Sequence, residues 1–309
     1  MTARIALLFA GQGAQSPGMG KDLYEKSPAA RRCFDMADEI LGRSITGLCF
    51  EAPAAELTAS ANCQPAIFTF SLACLAALQE RVPFTPLVAG GLSLGEITAL
   101  VAVEALPFER GLRLVAARGQ LMDEACRSTD GAMAAVIKAD EAVLTKVCAE
   151  HDIDIANRNC PGQIVISGER ARVVAAVETL KALEVRVIML QVAGAFHSRL
   201  MSPAAVAFRA SVDASGLCSP SLPFVQNVPG GEVGDPGEIA SNLVAQVKGT
   251  VRWEECMRCM VAERKIDTAI ELGPGNVLSG LMKRTDRAVA TLGTSCLAEM
   301  EKTIEAMES

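Results

Sequence analysis

Histidine is almost missing from this chain: two occur in 309 residues. The single C-x-x-C, Cys256 and Cys259, has no second pair and no histidine near it, so a zinc site would lack half its donors and no metal is expected. Trp253, Met257, Met260 and Val261 form an apolar stripe at helical spacing around that pair, which reads as core packing. Charge is also sparse. Charged residues make up 21% of the chain and hydrophobic residues 50%, which excludes a disordered chain and describes a globular one. The net charge is −7 with no long basic block, which argues against nucleic acid as a main partner. Apolar runs break before the roughly 20 residues needed to cross a bilayer, so no membrane insertion is expected. The opening MTARIALLFAGQG ends in a glycine-rich turn rather than a small-residue cleavage site, and reads as a first strand. The eleven cysteines are an odd number, scattered through apolar helical patterns such as SLACLAAL. They suit reduced thiols used as small core filler, in a cytoplasmic setting.

What the chain does have is a glycine-flanked serine between a strand signal and a helix signal. VAGGLSLGEITAL, residues 88 to 100, carries G-x-S-x-G as Gly91, Ser93 and Gly95. So tight a strand-to-helix turn leaves no room for side chains at the flanking positions. It pushes the hydroxyl outward, beside the N-terminus of the next helix, where unpaired N–H groups can hold a developing oxyanion. A serine needs a base to take its proton. His151 sits where a helix gives way to a strand and reads as a surface loop residue. His197, in VAGAFHSRLM, lies on a loop between a strand end and a new helix, and is favoured as the base.

Strand-like and helical runs alternate, giving an α/β fold. Strands are expected at 3–10, 87–91, 222–227 and 267–271. Helices are expected from Ser27 (N-cap) to about 41, over 64–81, 94–104 and 107–127, and at about 236–247 and 253–264. Between them the texture changes. Strands at 131–137, 153–157, 163–167 and 185–191, with helices at 140–150 and 170–183, give the order β-α-β-β-α-β of a ferredoxin-like unit. The expected architecture is a large α/β-hydrolase-like domain with a parallel-strand core, residues 1–127 and 193–309, interrupted by a ferredoxin-like subdomain at 128–192.

GQGAQSPGMG (11–20), GLSLGE (91–96), ARGQLM (117–122), ANRNCPGQIVISG (156–168), AFHSRLM (195–201), VRWEE (251–255) and ELGPGNVL (271–278) appear in order along nearly the whole chain. In these motifs the chain resembles the malonyl-CoA:acyl carrier protein transacylases. The resemblance implies malonyl transfer from malonyl-CoA to the phosphopantetheine thiol of acyl carrier protein, with no cofactor beyond these substrates. It implies that Ser93 attacks the thioester, that His197 shuttles the proton, and that Gln246 stands where the family orients its histidine with a carbonyl rather than an acid. It places the oxyanion hole at the backbone N–H groups of Gln12 and Leu94. Arg118 would grip the free malonyl carboxylate with parallel charge-assisted bonds. Position alone would let Arg113 compete; the motif selects Arg118. Met122 shares that motif and would join it at the substrate. Phe196 matches a bulky ring that narrows the pocket, and could equally be plain core. Asn159 and Gln163 fall on the subdomain edge over the site.

Two positions depart from the family. Leu92 replaces the usual histidine of G-H-S-x-G, and Ala195 stands where proline is common. KRTDR (283–287) is a candidate basic patch for an acidic carrier protein, or a solvated helix end. Rival readings are a polyketide-type acyltransferase with another acyl preference, a serine hydrolase or thioesterase, and a non-catalytic carrier-binding scaffold.

Overall fold

The computed structural model describes residues 3–308. Its strands are β1 (Ile5–Phe9), β2 (Val88–Gly91), β3 (Gly131–Ile137), β4 (Asp154–Cys160), β5 (Gln163–Glu169), β6 (Arg186–Met189), β7 (Val225–Gln226), β8 (Gly231–Glu232), β9 (Val251–Arg252), β10 (Thr268–Leu272) and β11 (Ala290–Gly293). Four of them form a wholly parallel sheet in the order β11-β10-β1-β2. β1, IALLF, is buried along its whole length, as suits a strand covered on both faces. Helices Ser60–Arg81 and Phe108–Arg127 pack closely against each other in the main core, while Trp253–Arg264 and Val277–Thr285 belong to a second cluster beside the sheet.

The second sheet runs β6-β3-β5-β4-β9. Its first four strands, with helices Glu141–Glu150 and Arg170–Ala182 between them, have the ferredoxin-like order and antiparallel pairing. The fifth comes from far along the chain. β9 pairs parallel to β4, Asn157 with Val251 and Arg158 with Arg252, and covers an edge that would otherwise stay open. Two residues are too few for a period-2 pattern, so nothing in the sequence marked β9 as a strand.

The helix from Pro28 to Leu41 starts at Ser27, whose Oγ accepts from Ala30 N at 3.1 Å, with Pro28 at the first helical position. Such a cap contributes about 1 kcal/mol. The apolar helix expected at 64–81 begins earlier, at Ser60. Asp123 supplies the cap from outside: its two carboxylate oxygens each accept at 2.9 Å, from Ser60 N and Ala61 N. Pro65 therefore lies inside the helix. It cannot donate to the carbonyl four residues back, and Arg43 Nη2 fills that role on Ala61 O at 2.6 Å. At 22 residues, with an 18-residue stretch of mean hydropathy 1.4, Ser60–Arg81 is long and apolar enough to span a membrane by length and composition, against the expectation that apolar runs end short of that. Here most of it is buried and it forms part of the main core.

Candidate active site

Ser93 lies two residues beyond the end of β2 and immediately precedes the helix Leu94–Ala102, with φ 53° and ψ −103°, a conformation few non-glycine residues adopt. The glycines around it are there for space. A Cβ on Gly91 would fall 2.1 Å from the Gly95 carbonyl, and one on Gly95 would fall 2.1 Å from Phe9 O. Leu94, as the first helical residue, presents an N–H with no intrahelical acceptor.

His197 also has positive φ, 55°, on the loop after β6. Arg199, two residues on, ties that loop to β4: its main-chain N–H donates to Asp154 Oδ2 at 2.9 Å and its Nε to the same oxygen at 3.1 Å. The imidazole is buried, with Nδ1 2.8 Å from Gln246 O and Nε2 2.8 Å from Ser93 Oγ. A carbonyl can only accept, so Nδ1 carries the proton and Nε2 is left to accept from the serine hydroxyl. Burial, with the Arg118 charge as second cause, pushes the His197 pKa down to about 4. The ring is neutral and able to take a proton at neutral pH.

Arg118 is 2% exposed. Its position follows from a close helix crossing: a Cβ on Gly119 would come within 2.4 Å of Ser60 O, so glycine lets Phe108–Arg127 press against the start of Ser60–Arg81. Gln64 then faces the guanidinium. Nη1 donates to Gln64 Oε1 at 2.8 Å, and Nη2 donates to Ser93 Oγ at 3.0 Å and Gln246 Oε1 at 2.9 Å. Burial lowers the Arg118 pKa to about 10, with the Glu96 charge opposing the shift, so the cation persists at neutral pH.

Ser93, His197 and Arg118 open onto a cavity of about 320 Å³ that Gln12, Met122, Asn159 and Phe196 also line. Asn159 lies on β4 rather than in a loop, and its Oδ1 is buried with no hydrogen-bond partner among the described residues. Leu92 forms apolar wall beside the serine. Gln246 and Leu94 complete the group: the first reaches Ser93 and His197 directly, and the second adjoins Ser93 in the chain. Gln163 is not among the described residues lining the cavity. It starts β5, with Cys160 Sγ 3.7 Å from its Oε1. Arg113 is at the surface, paired with Glu109 at 2.9 Å. His151 meets Thr179 Oγ1 at 2.9 Å, away from Ser93. Cys256 is buried and lies 3.3 Å from Gln226 O, while Cys259 is half-buried. Lys283, Arg284 and Arg287 are exposed at the far end of the helix whose first residues, Val277 and Leu278, line the cavity.

Sequence reasoning missed a buried polar layer beneath the serine. Gln64, Glu96, Gln226 and Asn227 are all fully buried; Gln64 and Glu96 are single polar residues, and Gln226 and Asn227 an adjacent pair, next to apolar residues. Polar residues inside apolar stretches were the available signal that partners must exist, because a polar group in a core must find one; the signal does not say which partner.

The family described as acyl transferase domain matches residues 6–306. A malonyl CoA-acyl carrier protein transacylase of Bacillus subtilis (strain 168) is 42% identical over 312 aligned residues, covering 99% of this chain and 98% of the relative. One from Staphylococcus aureus (strain MRSA252) is 37% identical, covering 97% and 98%. Among solved structures, the malonyl CoA-acyl carrier protein transacylase of Coxiella burnetii superposes with TM-score 0.95 at 31% identity, over 100% of this chain and 99% of that one. A malonyl-transacylase solved in complex with a type II PKS acyl-carrier protein superposes with TM-score 0.94 at 32% identity, over 98% and 100%.

Proposed function

From membership of the acyl transferase family, to which this chain belongs, we propose a two-step malonyl transfer run by Ser93 and His197. The activity moves a malonyl group from coenzyme A to the phosphopantetheine thiol of an acyl carrier protein, supplying fatty acid synthesis. The observation that carries the residue roles is the contact of Ser93 Oγ with both His197 Nε2, at 2.8 Å, and Arg118 Nη2, at 3.0 Å.

In the first step Ser93 Oγ bonds to the thioester carbonyl carbon while its proton passes to His197 Nε2. The negative charge on the carbonyl oxygen is met by the N–H groups of Leu94 and Gln12. The C–S bond then breaks, and Nε2 returns the proton to the departing thiolate. This leaves malonyl-serine ester and coenzyme A. In the second step the carrier thiol gives its proton to Nε2 and attacks the ester carbonyl, and Ser93 Oγ leaves with that proton. Gln246 O holds Nδ1–H throughout and fixes the tautomer. Arg118 holds the malonyl carboxylate beside the nucleophile, which selects a dicarboxylic acyl group over acetyl. Met122, Phe196 and Asn159 bound the acyl chain, and the Phe196 ring disfavours branching. We further propose that 128–192 is an inserted subdomain splitting the large domain into 1–127 and 193–309, that the reaction needs no cofactor, and that the enzyme works in the cytoplasm.

Intact-mass measurement after incubation with malonyl-CoA tests this reading. A malonyl adduct is expected on the parent protein, absent from Ser93→Ala, and discharged onto added holo carrier protein. An adduct on Ser93→Ala would move the nucleophile elsewhere. Release of free malonate at the same rate with or without carrier protein would make the chain a hydrolase.

A further inference from the structure

Ser93 is held in an unfavourable backbone conformation, and something must pay for keeping it there. The buried layer beneath the elbow does so. Asn227 follows β7, which runs alongside β2 through a parallel bridge between Phe224 and Ala89. At the point where β2 ends, the Asn227 carboxamide takes over the pairing. Its Oδ1 accepts from Ser93 N at 2.7 Å and its Nδ2 donates to Gly91 O at 2.9 Å. One side chain thus holds the elbow on both sides of Leu92. The other flank is held by Gln246 Nε2, which donates to Ser93 O at 3.0 Å.

Asn227 is itself fixed from below by Glu96, three residues beyond the nucleophile. Glu96 Oε2 accepts from Asn227 N at 2.6 Å, and Oε1 accepts from Gln226 Nε2 at 3.1 Å. Gln226 is tethered in turn, its Oε1 accepting from Asn242 Nδ2 at 2.9 Å. Glu96, Gln226 and Asn227 are fully buried, so the bonds Glu96 makes to Asn227 N and Gln226 Nε2, and the one Asn227 makes to Gly91 O, are shielded from water. A carboxylate this deep is costly unless its acceptors are occupied, and here they are occupied by the segment that carries Asn227.

We propose that Asn227 is a positioning residue for the nucleophile, clamping the Ser93 peptide so that Oγ stays between His197 and Arg118, and that Glu96 is the anchor that holds Asn227 in register. Neither touches substrate. The inference rests on Ser93 being the nucleophile, as proposed above.

The test is single-turnover formation of the malonyl-enzyme, quenched and read by intact mass over a range of malonyl-CoA concentrations. Asn227→Ala is expected to slow acylation about 100-fold at saturation, the effect of roughly 1 Å of misplacement. The half-saturating concentration should stay within about threefold of the parent's, because the acyl-binding groups are untouched. Glu96→Ala should follow Asn227→Ala. Glu96→Gln keeps a carbonyl oxygen for Asn227 N and should recover the rate to within about fivefold of the parent. That rescue would not be seen if Glu96 acted only through its charge. Acylation of Asn227→Ala within about threefold of the parent rate would overturn the proposal, as would a loss appearing only as weaker saturation. If Asn227→Ala does not fold, the Glu96 pair decides: full rate in Glu96→Ala, or equal loss in both variants, overturns it. Ser93→Ala run alongside separates the two readings. An adduct there sinks the functional assignment, whereas no adduct there with an unimpaired Asn227→Ala sinks only the clamp.

Discussion

Replacing Arg118 with alanine should convert a malonyl-selective site into one that no longer distinguishes malonyl from acetyl. The guanidinium is almost wholly buried, and its Nη2 is 3.0 Å from Ser93 Oγ, so a carboxylate bound there sits next to the reacting atom. Two charge-assisted hydrogen bonds at about 1.5–3 kcal/mol each put the loss at roughly 3–6 kcal/mol. At 1.4 kcal/mol per tenfold this is about 10²–10⁴ in kcat/KM for malonyl-CoA. Acetyl-CoA has no second carboxylate and loses none of it. Truncation has a further cost, because Gln64 Oε1 and Gln246 Oε1 both lose their donor and Glu96 loses a nearby cation, so the variant should also melt at lower temperature. The assay must therefore be blind to the folded fraction. Transfer of malonyl and of acetyl to holo carrier protein, measured on the same preparation, gives a ratio from which that fraction cancels. The malonyl:acetyl ratio should fall by at least about 100-fold. A ratio unchanged within error would remove Arg118 from substrate selection and leave it as a structural cation.

The pH dependence of kcat/KM for malonyl-CoA should stay flat through neutrality and fall only as pH drops through about 4, because His197 must be neutral to accept the serine proton. An acid limb near 6.5 in the parent would refute this, and Arg118→Met, followed with acetyl-CoA, should move the limb upward by removing the second cause of the shift. Activity is the right readout. The depressed His197 makes the native state lose stability as pH falls from 6.5 towards 4, whereas Glu96, raised by burial from 4.5 to about 7, makes it lose stability as pH rises across that interval, so melting curves would blend the two. Gln246→Ala should lower kcat about tenfold, less than Arg118→Ala lowers malonyl transfer, since the tether on His197 is a main-chain carbonyl that the substitution keeps; loss of all activity would show that the side chain does more than hold Ser93 O and Arg118. Gly95→Ala should destabilise the fold by about 3 kcal/mol, visible in thermal melts, because its methyl would be driven into Phe9 O; an unchanged melting temperature would mean the elbow can open.

The elbow could be read from the sequence because its constraint is steric and local: Gly91 and Gly95 are required whatever surrounds them. The ferredoxin-like order at 131–189 was legible for a similar reason, since its strand and helix runs are local and follow one another along the chain. Arg118 was not legible on its own. Position allowed Arg113 equally, and only the motif separated a buried cation from a surface one. The start of the helix at Ser60 was hidden because its cap, Asp123, lies 63 residues away. β9 was hidden because its partner is remote. The pairing of Asn227 with Glu96 was hidden for a different reason. Their work is done through main-chain atoms of other segments, and no spacing rule connects position 96 with 227.

The choice of a carbonyl rather than a carboxylate behind His197 follows from the charge already in the site. A carboxylate at the place of Gln246 O would raise the His197 pKa and, in a buried space, would compete for the guanidinium of Arg118. The resident acid, Glu96, avoids that competition, because both of its oxygens are taken by Asn227 N and Gln226 Nε2. Among the described residues, Arg118 is hydrogen-bonded to neutral oxygens, those of Gln64, Ser93 and Gln246. Its charge is therefore left to be matched by the substrate. A malonyl group brings that anion and an acetyl group does not. On this argument the same neutral tether that leaves His197 unprotonated at neutral pH also preserves the cation for substrate recognition, and an acid introduced beside Arg118 would weaken selectivity.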